Sequence, residues 1–111
     1  MTDATIDATT FAELQDAAGS DFVAELIATF LEEAPGMLAA LRSAHAGPDA
    51  DAFRRAAHSL KSNAHTFGAT RLAALTRKLE QGGLIVDTAP LDALEAEYRK
   101  VAAALQELRN G

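Results

Sequence analysis

Residues 56–69 read AAHSLKSNAHTFGA and hold two of the chain's three histidines, a lysine three residues after the first of them, and no acidic side chain. Extended back to Phe53, the segment places apolar residues at Phe53, Ala56, Ala57, Leu60, Ala64 and Phe67. With Phe53 as zero and about 100° per residue, these fall in one arc from about 300° through zero to about 40°, the apolar stripe of an amphipathic helix. His58 lies at about 140°, His65 at about 120°, Arg54 at about 100°, Lys61 at about 80° and Ser62 at about 180°, so all five leave the apolar arc. Gly68 follows the last apolar residue and marks a helix end. The segment is therefore a helix with one face for a core and a second face bearing a histidine flanked by cations.

Working outward, residues 1–9 are small and polar and read as a flexible tail, with one domain over residues 10–111. Thr10, with Glu13 in capping-box spacing, opens a short helix that stops at Gly19. Ser20 or Asp21 starts the next, with Phe22, Val23, Leu26, Ile27, Phe30 and Leu31 in helical period. Pro35 bends or ends it, and a further turn or two carries Met37, Leu38 and Leu41 before a loop at HAGPDAD, residues 45–51. Pro48, Asp49 and Asp51 signal the start of the central helix. Another helix is expected over roughly 69–80, with Leu72, Leu75 and Leu79 inward and QGG as its terminator. The last follows Pro90, its seam formed by Leu91, Leu94, Tyr98, Val101, Leu105 and Leu108. No segment alternates like a strand. The pattern predicts an all-α fold, an antiparallel up-down four-helix bundle with a short extra N-terminal helix.

Composition narrows the function. The chain has 111 residues and no cysteine, which excludes a disulfide framework, a thiol nucleophile and cysteine zinc sites. No apolar run approaches the ~20 residues of a membrane span, and the first ten residues, MTDATIDATT, lack the features of a signal peptide. A soluble cytoplasmic monomer is expected. Net charge is −6, yet residues 52–79 carry six bases and no acid. Such a segment points to a phosphate or an acidic partner surface; the alternative is a helix pair balancing acidic neighbours within the fold. Nucleic acid is a poor partner, because the rest of the chain repels it.

On the central helix, side chains three apart touch, so Lys61 is a fixed cationic neighbour of His58. A nearby cation disfavours the imidazolium form, and the neutral ring is the nucleophile. If the ring takes up a phosphoryl group, the same ammonium pairs with its oxygens. The alternative is an ordinary surface histidine. A sharp turn at Gly68 also sets His58 level with Lys78, within one turn of Arg77 and Glu80. Glu80 is then placed to accept a hydrogen bond from one ring nitrogen and leave the other free; its alternative is a solvated carboxylate at a helix end. His58 and His65 are about 10.5 Å apart in helical rise, too far to share one ion without a second helix. His45, in the loop before Pro48, carries no signal. No serine, histidine and acid grouping and no glycine-rich phosphate loop suggests a hydrolase.

The segment AAHSLKSNAHTFGATRLAALTRKLE, residues 56–80, resembles the signature of histidine-containing phosphotransfer (HPt) domains, and LQDAAGSDFVAELIATFLEEAPGMLAALRSA, residues 14–44, resembles the first half of that family. The resemblance implies a phosphorelay carrier, not a kinase, that takes a phosphoryl group from a receiver-domain aspartate and passes it to another response regulator. By that resemblance His58 is the phosphorylated residue, through Nε2, and Lys61 stabilises the phosphohistidine. Ser62 stands where many members have glycine, Asn63 where serine or alanine is more usual. Gly68 matches the turn glycine, and Glu80 a glutamine or glutamate that bonds the histidine. The implied partners are receiver domains or a hybrid histidine kinase, met by Arg54, Arg55, Ser62, His65 and Arg77. Mg²⁺ comes from the receiver, and the protein needs no cofactor of its own. The competing expectation is a docking or inhibitory helical module that takes no phosphate; such proteins would tend to lack the histidine.

Overall fold

A computed structural model describes residues 5–82 and 87–110. Five helices follow in order: α1 (Ala8–Ala18), α2 (Ser20–Ala46), α3 (Ala50–Phe67), α4 (Thr70–Gly82) and α5 (Ala89–Asn110), with no strand among the described residues. Helix α3 packs on α2 and α4, α5 packs on the same two, and α1 lies against α2 and α3. No helix among the described residues is long and apolar enough to cross a membrane.

Local chemistry sets the boundaries. Helix α1 starts at Ala8, ahead of the expected Thr10. Asp7 is the cap, accepting from the Thr10 N–H at 2.9 Å and from the Thr10 hydroxyl at 2.6 Å. These two donors hold the Asp7 carboxyl below its usual range. The Asp7 N–H donates to the Gly68 carbonyl at 2.8 Å, tying the start of α1 to the α3–α4 turn. Helix α2 neither ends nor restarts at Pro35. That residue is exposed and costs one ladder bond, while buried Phe30, Ala34, Leu38 and Leu41 hold the helix down on either side of it. The expected loop is shorter too, since His45 and Ala46 belong to the last turn of α2.

Asp49 caps α3 through the Ala52 N–H at 3.1 Å. At the other end Gly68 adopts φ 79° and ψ 23°, and the Ala69 N–H reaches back to the Ala64 carbonyl at 2.8 Å. A side chain is excluded here twice, by the left-handed backbone and by Thr10 Cβ, 3.0 Å from where a Cβ would stand. Helix α4 continues to Gly82, beyond the expected end near residue 80; the rest of the QGG terminator lies outside the described residues.

Every α3 position assigned to the core is buried except Ala56, which is half-buried. Phe30 stands at the centre, its ring 5.5 Å from that of Phe67 and 5.9 Å, edge-on, from that of Tyr98. Two expected core residues are not in it: Phe22 is 52% exposed and Leu108 41%. Each stands near a helix end. Conversely Glu97 is buried within the α5 seam, with Arg71 at 3.4 Å and Lys100 at 3.9 Å supplying countercharge.

Candidate functional site

Ala57 and Leu60, fully buried, fix the inner face of α3. His58, between them in sequence, points the other way, with 60% of its side chain exposed. The tight turn at Gly68 folds α4 back antiparallel and brings Glu80 to the ring: His58 Nδ1 lies 2.7 Å from Glu80 Oε2. The other carboxylate oxygen, Oε1, takes the Lys61 ammonium at 2.5 Å. One carboxylate thus bridges the histidine and the lysine, and it is much less exposed than the ring it holds, at 16%.

This arrangement fixes the chemistry of the ring. An ionised carboxylate can only accept, so Nδ1 carries the proton and donates it. In the neutral ring Nε2 is then left with its lone pair free. Glu80 stays ionised because the Lys61 ammonium, and after it the His58 ring, hold its carboxyl below the usual glutamate range. The result is an exposed ring held by one nitrogen, with a cation one turn away.

The remaining expected residues divide by position. Arg54 and Arg55 line a surface hollow together with His58, Ser59 and Glu80. Arg54 also pairs with Asp51 at 3.7 Å. Ser62, His65 and Arg77 are exposed but outside that hollow's lining. Gly68 is buried at the turn. Asn63 bonds the Ser59 carbonyl at 2.9 Å and so faces along its own helix.

Two features escape a reading of the sequence. The Lys61–Glu80 contact is one, although the same hairpin register that predicts His58 opposite Glu80 brings Lys61 within a turn of it. The groove between α2 and α3 is the other, where Gly36, Met37, Ala40 and Ala56 form an apolar floor beside Arg55 and Ser59. Met37, half-buried against the core, also lines this groove, and the small residues at 36 and 40 open it.

The sequence profile of the family described as "Hpt domain" matches residues 25–111. Among solved structures, the crystal structure of histidine-containing phosphotransfer protein B (HptB) from Pseudomonas aeruginosa PAO1 superposes with a TM-score of 0.84, covering 98% of this chain and 97% of that one at 24% sequence identity. That likeness is one of fold. No curated protein matches the chain at a significant level.

Proposed function

Because the chain belongs to the Hpt domain family, whose members carry phosphoryl groups in two-component signalling, we propose that His58 accepts a phosphoryl group from the aspartate of one receiver domain and yields it to that of another. The observation that carries this reading is the exposed ring whose Nδ1 is engaged by Glu80, leaving Nε2 free.

In the transfer step the Nε2 lone pair attacks phosphorus in line. The N–P bond forms while the bond from phosphorus to the aspartyl oxygen breaks, its electron pair leaving on the receiver's carboxylate. Nδ1 keeps its proton and donates it to Glu80 throughout, and onward transfer is the reverse of the same step. Lys61 offers N–H donors to the phosphoryl oxygens. The receiver supplies Mg²⁺ and an acidic pocket that stabilise the transferring group, so this chain needs only an unhindered nucleophile. Ser62 keeps the approach open by being small, and Arg54, Arg55, Arg77 and the rim residue His65 face the acidic pocket, speeding encounter more than tightening it. We read α2 to α5 as an antiparallel up-down bundle with α1 packed on it, acting as a cytoplasmic monomer on receiver domains or a hybrid kinase.

Incubation with a receiver carrying labelled phosphate tests this. The label is expected on the wild-type protein in an acid-labile, base-stable form, and chelation of Mg²⁺ is expected to stop its arrival. Label that persists in His58→Gln overturns the assignment.

A further inference from the structure

We infer that Glu80 and the phosphoryl group compete for the Lys61 ammonium, so that the charge on residue 80 sets how tightly the protein holds the phosphate it carries. The inference rests on His58 being the phosphoacceptor, and it concerns the next question, how the same site both takes and releases the group.

In the unphosphorylated protein Lys61 is already engaged, its ammonium 2.5 Å from Glu80 Oε1 while the ring donates to Oε2. Lys61 stands three positions after His58, about 4.5 Å of helical rise, so the ammonium reaches either the carboxylate or a group on Nε2. When the lone pair of Nε2 forms the N–P bond and the donor's acyl oxygen leaves with its electron pair, the proton stays on Nδ1. The ring becomes cationic and the phosphoryl group carries up to two negative charges. Glu80 attracts the first and repels the second, so its direct effects oppose one another. Its effect through Lys61 has no such offset: an ammonium held by a carboxylate is less available to phosphate. No other carboxylate in the segment relieves this. Residues 52–79 contain neither Asp nor Glu, and the preceding acid, Asp51, faces Arg54 at 3.7 Å.

Residue 80 therefore combines two roles that chemistry can separate. Orienting the ring needs only an acceptor oxygen for Nδ1–H, which a glutamine amide also provides. Retaining Lys61 needs the charge. A carboxylate at this position makes a carrier that gives up its phosphate readily, and an amide makes one that keeps it.

The test is the phosphoryl-transfer equilibrium with a receiver domain, measured for wild type, Glu80→Gln, Lys61→Ala and the double variant, with the hydrolysis rate of the isolated phosphoprotein as a second readout. Glu80→Gln is isosteric and should move the equilibrium toward the phosphorylated protein by roughly three- to fivefold, the scale of a partly exposed ion pair. It should also slow hydrolysis. Lys61→Ala should move the equilibrium the other way, and the double variant should match Lys61→Ala alone. An equilibrium unchanged or shifted toward the receiver in Glu80→Gln overturns the inference, as does a Glu80→Gln shift of equal size with Lys61 absent. If wild type transfers normally, these outcomes leave His58 as the acceptor; if wild type takes no label at all, the functional reading fails with it.

Discussion

Of the ion clusters that tie helices together among the described residues, two are closely alike in geometry, and only one of these looks like a reaction site. Between α2 and α5, Arg42 holds Asp92 and Glu95, each at 2.7 Å. Between α3 and α4, Glu80 holds His58 at 2.7 Å and Lys61 at 2.5 Å. The distances are alike, and each cluster is one ion shared by two partners. The difference lies in what is left over. Arg42 is a permanent cation spread over a planar fork whose donors face two carboxylates, and no nucleophilic atom remains. His58 has one nitrogen engaged, one free, and most of its ring in solvent. Short ion pairs across helices are common to both clusters; the unused lone pair held at the surface belongs to one alone.

The sharpest way to break the comparison is to remove that lone pair. His58→Gln should abolish phosphoryl acceptance while thermal unfolding stays near wild type, because most of the side chain is in solvent. A variant that still accepts label would place the chemistry elsewhere. Next in size, Lys61→Ala should slow transfer about tenfold or more, as expected for a lost hydrogen bond to a charged group. An unchanged rate would show that Lys61 serves Glu80 alone. Arg42→Ala should do the opposite in kind, lowering the urea midpoint slightly and leaving transfer rates as they were. A transfer defect there would make the two clusters equivalent.

The smallest effect concerns acid. Glu80 and Glu95 are both held below the ordinary glutamate range, by Lys61 and His58 in one case and chiefly by Arg42 in the other. A depressed folded pKa means the stabilisation is complete above the unfolded value, about 4.3, and is lost as pH falls through the folded one. Carboxyl carbon resonances should show both groups still ionised where free glutamate protonates. In Lys61→Ala the Glu80 curve should move up and the Glu95 curve should not.

Much of the site is legible in residues 53–80. The helical period sorts α3 into its two faces, and a glycine at 68 implies the hairpin that sets Glu80 against His58. What escapes depends on contacts between helices, which periodicity does not encode. Thr10 and Asp7 are both good caps, and the bond from the Asp7 N–H to the Gly68 carbonyl decides where α1 begins. Phe22 fits the apolar period of α2 but is left exposed near its start. Glu97 is charged and so does not suggest itself for an apolar seam, yet Arg71, on the separate helix α4, makes its burial tolerable. The Lys61–Glu80 pair belongs to the same class: in the sequence each residue has its own role, and only the folded hairpin joins them.

The most direct test of the central claim is the nitrogen-15 spectrum of the His58 imidazole before and after phosphorylation by a receiver domain. The geometry predicts a proton on Nδ1 in the free protein, and a phosphorylated Nε2 with Nδ1 still protonated afterwards. A free protein protonated at Nε2, or a phosphoryl group found on Nδ1, would contradict it.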